Sequence, residues 1–163
     1  MEKHFDYLLN KIKTKEELIF LLEEITNIKH FIFKKEKEEV LSKRVEGKVS
    51  LELKNFLEKL EREGTISENP EQQSAFLEKL ERHLLSLPKI KLEIAFYPED
   101  NFLTKIDQWL KKILGQKTIL DIITNPKIVG GAIIEYRGNW RDFSLATEID
   151  KLISKKINTH AGI

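Results

Sequence analysis

Apolar residues recur every three or four positions from the N-terminus to residue 87, and this spacing predicts a series of amphipathic helices. The first predicted helix covers residues 2–12, and its apolar face consists of Phe5, Leu8, Leu9 and Ile12. Thr14 and Glu17 have the spacing of a capping box, which predicts the start of a second helix that continues through Ile28.

The second helix has a wider apolar surface than the first. Ile19 and Phe20 lie beside its main apolar face, so we expect this helix to be buried on more than one side. The charged run at 34–39 that follows mixes lysine and glutamate. Mixed signs at this spacing are typical of a solvated helix face rather than of a binding site.

Two further helices are predicted before residue 88. Ser50 can cap the first, which Gly64 ends, and Asn69 with Pro70 forms a start signal for the second. The apolar positions of these helices are Leu53, Phe56, Leu57, Leu60, Ala75, Phe76, Leu77, Leu80, Leu84 and Leu87.

The hydrophobic period changes from helical to alternating at Pro88. The alternating apolar residues Ile90, Leu92, Ile94 and Phe96 predict a half-buried strand. A helix from about Phe102 to a stop at Gly115 follows, and Ile119 to Ile123 predicts another strand.

The stretch after Pro126 predicts a strand, a hairpin and a last helix. The apolar run 128–134 is rich in β-branched residues but contains Gly130 and Gly131, which indicates a bulge or a closely packed backbone. In the hairpin at 136–140, Gly138 and Asn139 are the residues that tolerate positive φ. The residues that cap or form the apolar face of the last helix are Asp142, Ser144, Leu145, Ile149, Leu152 and Ile153.

These elements predict an α+β fold. An N-terminal all-helical bundle, residues 1–87, is followed by a small C-terminal α/β domain, residues 88–163, with a mixed sheet. Its predicted element order is strand, helix, strand, strand, short strand, helix.

Composition excludes several classes of protein. The 163 residues include 28 basic and 27 acidic side chains, so the net charge of +1 gives no strong attraction to nucleic acid. The absence of cysteine excludes disulfides, cysteine-ligated zinc and a thiol nucleophile. No apolar run approaches the ~20 residues of a membrane-spanning helix, and the charged N-terminus does not fit a signal peptide.

No candidate catalytic chemistry emerges. The four histidines are scattered without the spacing of metal ligands, and no phosphate-binding glycine loop is present. Asp142 and Ser144 fit a helix cap better than a catalytic pair, since no histidine lies near them in sequence. We therefore predict no catalytic residue, cofactor or metal site, and a protein that is not an enzyme.

The C-terminal stretch resembles the delta subunit family of F-type ATP synthases, which includes the mitochondrial oligomycin-sensitivity conferral protein. The resemblance rests on an ordered set of features: Pro126, Gly130, Gly131, Gly138, Asp142 and Ser144, followed by Leu145, Ile149 and Leu152. It covers about residues 88–153, whereas residues 1–87 resemble the family only in architecture. The family's usual opening is absent, and His4 to Leu9 stands in its place.

The resemblance implies a non-catalytic peripheral-stalk subunit that links the catalytic headpiece to stalk subunit b and resists rotor torque. The helical half would hold the N-terminal helices of alpha subunits, and the C-terminal half would hold the C-terminal end of subunit b. Its location would be peripheral, at the cytoplasmic face of the energy-coupling membrane, with membrane association only through the complex. The expected partner-binding residues are Phe5, Leu8, Leu9, Ile12, Phe76, Leu80, Leu84, Leu145, Ile149, Leu152 and Ile153.

Two alternatives remain open from the sequence. The C-terminal half is also similar to the E-type stalk subunit of V/A-type ATPases, although Gly47, Gly64 and Pro70 interrupt the long helix that such a subunit would need. A small nucleic-acid-binding adaptor is the other alternative, because residues 88–163 carry 12 basic against 9 acidic side chains. The excess is small, and the aromatic, glycine-rich pattern of RNA-binding sheets is absent.

Overall fold

The computed structural model describes residues 2–33 and 40–150, and it has the predicted α+β fold. The chain divides into two compact units, Met1–Leu87 and Pro88–Ile163, which we call the helical unit and the sheet unit. The helical unit contains α1 (Glu2–Leu9), α2 (Lys15–Ile32), α3 (Leu41–Arg44), α4 (Leu51–Arg62) and α5 (Pro70–Leu85). The sheet unit contains β1 (Lys89–Ile94), α6 (Asp100–Leu114), β2 (Ile119–Thr124), β3 (Ala132–Tyr136) and β4 (Asn139–Asp142), and residues 145–150 are helical.

The main helices of the helical unit begin at the caps that the sequence predicts. Glu17 N–H donates to Thr14 Oγ1 over 3.3 Å, and Thr14 N–H donates to the Glu17 carboxylate over 2.9 Å, which completes the capping box of α2. Ser50 accepts from Leu53 N–H at the start of α4, and Asn69 caps α5 ahead of Pro70. These local bonds satisfy backbone N–H groups that a helix otherwise leaves unpaired.

Buried apolar side chains from α1, α2, α4 and α5 form the core of the helical unit. The Phe5 ring meets Phe76 edge-on at 5.9 Å between centroids, and Tyr7 stacks on Phe56 at 6.4 Å. The core residues of these helices are Phe5, Leu8, Leu9, Leu18, Leu21, Ile25, Ile28, Ile32, Leu53, Phe56, Leu57, Leu60, Leu77, Leu80 and Leu84.

Side chains from distant parts of the chain cap two further helix ends in the helical unit. Glu61 accepts from the backbone N–H of Ser42, 2.8 Å away, at the start of the short helix α3, which the sequence does not predict. Arg44 donates to the carbonyl oxygens of Phe31 and Ile32 at the end of α2, over 2.7 and 2.9 Å. Charges of these signs at these ends also suit the helix dipoles.

The sheet unit is built on a mixed four-stranded sheet in the order β2-β1-β3-β4. The central strand β1 pairs in parallel with β2, with Leu92 opposite Ile122, and antiparallel with β3, where Leu92 lies opposite Ile134. Helix α6 makes the crossover between the parallel strands, and it ends at Gly115, whose φ of 67° suits a left-handed cap. This arrangement confirms the predicted mixed sheet.

One face of this sheet forms the core of the sheet unit. The core is made by Ile90, Leu92, Ile94, Leu103, Leu110, Leu120 and Ile122. Ala132, Ile134 and Tyr136 of β3 belong to the same face but are only half-buried. The core face of β3 is therefore less completely covered than that of β1 and β2.

Several predictions about local structure are wrong in detail. The first helix ends at Leu9 and not at Ile12, and β1 ends at Ile94, so Phe96 lies beyond the strand and is 72% exposed. The expected second buried side of α2 is also wrong, since Ile19 and Phe20 are 46% and 57% exposed. No other helix in the described part of the helical unit covers these two side chains. The predicted charged helix face at 34–39 lies outside the described residues.

The hairpin lies where the sequence predicts it, but its turn residues differ from the predicted ones. Tyr136 pairs with Asn139, so the turn contains only Arg137 and Gly138, with φ of 51° and 77°. Two positive φ values in a two-residue turn match the right-handed twist of the strands. Asn139, which the sequence places in the turn, is the first residue of β4.

Candidate partner-binding surfaces

The glycine pair forms a sharp bend before β3, so the strand predicted across 128–134 begins later than the sequence indicates. Gly130 and Gly131 have φ of 72° and 78°, which is incompatible with a strand, and β3 begins at Ala132. The bend brings in another stretch of backbone. Phe143 N–H donates to the carbonyl of Ala132 over 2.8 Å, and Leu145 N–H donates to that of Gly130 over 3.1 Å.

Hydrogen bonds around the other motif residues fix the turn before the glycine pair and the start of the last helix. Pro126 lies in a turn in which Ile128 N–H donates to the carbonyl of Asn125 over 3.0 Å. Asp142 accepts from Ser144 N–H over 2.7 Å and from the Thr147 hydroxyl over 2.6 Å. The Ser144 carbonyl accepts from Glu148 N–H, so the helix over 145–150 begins where the sequence predicts.

An apolar groove of about 640 Å³ lies over the half-buried part of the sheet face. We call it the sheet-unit groove. Its lining consists of Leu92, Ile94, Ala95, Phe96, Pro98, Glu99, Phe102, Ile106, Gly130, Gly131, Ala132, Ile134 and Phe143. Phe96, Phe102 and Phe143 are 72%, 51% and 53% exposed, so three aromatic rings stand at an open, mostly apolar surface. Such a surface is typical of a protein-binding site.

A second groove, of about 450 Å³, lies in the helical unit between α1, α2 and the start of α4. We call it the helical-unit groove. It is lined by Leu8, Lys11, Ile12, Glu16, Glu17, Phe20, Leu21, Glu24, Ser50 and Glu52. Leu8 and Ile12 form part of its floor, and the exposed ring of Phe20 stands at its side. An apolar floor with polar flanks suits the apolar stripe of an amphipathic helix.

Most of the residues that the sequence singles out for partner binding in the helical unit lie in its core. Phe5, Leu9, Leu80 and Leu84 are at most 7% exposed, and Phe76 is half-buried against Phe5. An apolar helix face predicts burial but does not say whether the same chain or a partner supplies the cover. The helical unit itself therefore covers these side chains, and their part in partner binding stays a prediction.

In the sheet unit the expected surface is partly present. Leu145 and Ile149 are 51% and 48% exposed, and Leu145 Cδ1 packs where a side chain on Gly130 would lie. Leu152 and Ile153 lie outside the described residues. Phe20, Phe96 and Phe143 were missed as surface residues; Phe143, between Asp142 and Ser144, lies outside any apolar period that would have identified it.

Neither a metal-binding cluster nor a membrane-spanning helix is found among the described residues. Within 2–33 and 40–150 there is no cluster of three or more histidine, aspartate or glutamate side chains arranged to hold a metal ion. No helix in the same ranges is long and apolar enough to cross a membrane. The described residues do form open apolar grooves, among them the helical-unit groove and the sheet-unit groove.

Comparison with known proteins agrees with the ordered motif. The ATP synthase delta (OSCP) subunit family matches residues 3–155, which includes most of both units. The chain is also 25% identical over 140 residues to the ATP synthase subunit delta of Leptospira interrogans, covering 83% of this chain and 74% of that protein. The chain belongs to the ATP synthase delta (OSCP) subunit family.

Proposed function

We propose that this chain is a non-catalytic peripheral-stalk subunit of a rotary F-type ATP synthase. It joins the catalytic headpiece to stalk subunit b at the cytoplasmic face of the energy-coupling membrane. The observation that carries the proposal is the family match over residues 3–155, because it extends through both units and so through both grooves. The match favours this function over a V/A-type stalk subunit or a nucleic-acid adaptor.

The helical unit binds the N-terminal helix of an alpha subunit. The helical-unit groove supports this role because the exposed ring of Phe20 stands at its side and can pack against a helical apolar stripe. Burying the Phe20 ring on binding removes a large apolar side chain from water. This surface shares Leu8 and Ile12 with the set that we expected from the sequence, but both are almost fully buried, and Phe20 is its exposed apolar side chain.

The sheet unit binds the C-terminal end of subunit b. The sheet-unit groove supports this role with Phe96, Phe102 and Phe143 around an apolar sheet face. Aromatic side chains at the centre of an interface commonly supply most of the binding free energy. The exposed Leu145 and Ile149, which the sequence singles out for partner binding, extend this apolar surface.

Two separate binding units explain how a protein without catalytic residues serves an energy-converting machine. Rotor torque acts on the headpiece, and a stator has to transmit the opposing force through its contacts with both neighbours. Apolar interfaces with large aromatic anchors dissociate slowly, which is the property that such a link requires. Membrane attachment comes only through the complex.

Calorimetry with the full chain tests the assignment of partners. A peptide from the N-terminus of the alpha chain and a peptide from the C-terminus of the b chain should each bind, and saturation with one should leave the affinity for the other unchanged. Phe20→Ala should weaken only the alpha peptide, and Phe102→Ala should weaken only the b peptide. Phe33→Ala, at a ring that is 63% exposed in the helical unit but outside the groove lining, is the control. Competition between the two peptides would contradict the proposal.

A functional experiment tests the coupling role. ATP synthase membranes stripped of this subunit should hydrolyse ATP without driving proton transport, and adding the chain back should restore transport. Normal coupling in its absence would rule out the stator role, even if both peptides bind.

A further inference from the structure

We propose that charge sorts the two partners. The helical-unit groove accepts an amphipathic helix flanked by lysine or arginine, and an exposed stripe on α6 accepts one flanked by aspartate or glutamate. The inference rests on the proposed function in one respect, namely that each unit docks one helix. It adds the chemistry by which each helix is directed to its own unit.

The helical-unit groove has an acidic border. Its charged lining consists of Glu16, Glu17, Glu24, Glu52 and Lys11, which is four carboxylates against one ammonium group. Glu17 and Glu24 accept hydrogen bonds from backbone N–H groups at helix starts. Glu16 and Glu52 are exposed, and neither is joined to another side chain in the described part of the helical unit. They therefore remain available to cations on a docked helix.

The sheet unit has a basic surface on α6. Phe102, Ile106, Trp109 and Ile113 follow one another at spacings of four, three and four, which forms a continuous stripe of about 16 Å. Phe102, Trp109 and Ile113 are 51%, 55% and 57% exposed. Phe102 and Ile106 also line the sheet-unit groove, so the stripe continues a surface that already has the character of an interface.

Lysines flank this stripe. Lys105 and Lys112 are exposed, stand one position before Ile106 and Ile113, and have no carboxylate partner among residues 88–150. The nearest acid in sequence, Asp107, is held by Lys117 at 2.5 Å instead. Asp100 and Glu99 lie at the start of the helix, beside the groove and away from the two lysines. The middle and the end of the stripe are therefore bordered by positive charge.

Opposite borders discriminate between partners even when the apolar stripes of those partners are alike. A helix flanked by lysine meets attractive charges in the helical unit and repulsive charges on α6, and the reverse holds for a helix flanked by glutamate. Rim charges of this kind act mainly on association and on specificity. Because they are exposed, their effect should fall as salt is added.

Two designed helices with identical leucine stripes, one flanked by lysine and one by glutamate, test the proposal against the full chain at low salt. The variant pair Glu16→Lys with Glu52→Lys should weaken the lysine-flanked helix about tenfold and leave the glutamate-flanked helix unchanged. Lys105→Glu with Lys112→Glu should have the opposite selectivity. Glu78→Lys and Lys89→Glu, exposed charges outside both surfaces, are the controls.

Circular dichroism of each variant establishes that the fold is intact before binding is compared. Sorting is overturned if the paired variants change binding no more than the controls, or if neither designed helix binds the chain. Either result leaves the proposed function to its own test, since the natural alpha and b peptides can still bind their separate units through apolar contacts alone.

Discussion

The carbonyl oxygen of Phe143 lies so close to Gly131 that a Cβ atom on Gly131 would be 2.2 Å from it and 2.9 Å from the Cα atom of Ser144. No real side chain tolerates such distances to backbone atoms. The contact joins the bend before β3 to the segment that leads into the last helix. It also places Phe143 at the sheet-unit groove, so one glycine links the fold of the unit to its proposed binding surface.

Gly131→Ala should therefore destabilise the sheet unit more than a substitution that meets only backbone strain. Gly138→Ala is the matched control, because Gly138 has nearly the same φ, 77° against 78°, but open space where Cβ would lie. We expect the control to lose roughly 1–2 kcal/mol for a left-handed conformation. Gly131→Ala should lose a further 1–3 kcal/mol, roughly, for overpacking.

Denaturant unfolding followed by tryptophan fluorescence measures this difference. The chain has two tryptophans, Trp109 and Trp140, and both lie in the sheet unit, so the signal reports that unit. Equal losses of stability in the two variants would show that glycine is needed at position 131 only for its positive φ. The Phe143 backbone would then move away from the new side chain without a further loss of stability.

The same region shows what the sequence can and cannot predict. The glycine pair indicates a close backbone contact, and that is what the structure contains, but the β-branched residues around it extend the predicted strand too far. A strand is predicted from residues that are adjacent in sequence. The bend depends on the backbone of Phe143, which lies more than ten residues after Gly131 in the sequence. Local signals such as the Thr14 capping box and the Gly115 helix stop are predicted well because every contributing atom is nearby in sequence.

The binding surfaces are harder to predict from the sequence than these local elements. An apolar face predicts that something will cover it, and in α1 and α5 the same chain supplies the cover. In α2 and α6, Phe20 and Trp109 remain exposed although their pattern is equally helical. Periodicity alone does not separate these cases, because the difference lies in which side of each helix the rest of its own unit covers. The family resemblance predicts which partners to expect, whereas the grooves are visible only in the fold.

A second prediction concerns Glu24, which is 6% exposed and caps α4 from α2. Its carboxylate accepts from the backbone N–H of Ser50 and, over 2.9 Å, from the Ser50 hydroxyl. Glu24→Ala leaves both donors without this acceptor and should destabilise the helical unit by about 1–3 kcal/mol.

Thermal unfolding followed by helical circular dichroism provides the measurement for this variant. Glu23→Ala, at the exposed neighbouring position on α2, should change stability by less than about 0.5 kcal/mol. If Glu24→Ala and Glu23→Ala change the stability equally, the hydrogen bonds between Glu24 and Ser50 contribute no more stability than hydrogen bonds from water to the same groups.

The ion pair between Lys117 and Asp107 leads to a third prediction, since their side chains are only 5% and 14% exposed. Lys117→Met leaves the Asp107 carboxylate enclosed without its cation, which should cost about 3–5 kcal/mol. The double variant Lys117→Met with Asp107→Leu removes both charges and should recover most of this loss. Tryptophan fluorescence again reports the relevant unit. A double variant as unstable as the single one would show that Lys117 acts through other contacts.

The last prediction is that residues 88–163 fold without the helical unit. The sheet and its core are formed within this stretch, with β1 at the centre between β2 and β3. The boundary residue takes part, because the carbonyl of Pro88 accepts from Ile119 N–H over 2.8 Å. We expect a single cooperative thermal transition, detected by tryptophan fluorescence. A shorter fragment, residues 93–163, is the matched control: it removes most of β1, exposes its partners on both sides, and should not fold. Absence of a cooperative transition in residues 88–163 would mean that the sheet unit needs the helical unit in order to fold. Pro88 would then separate two structural units that are not independently stable.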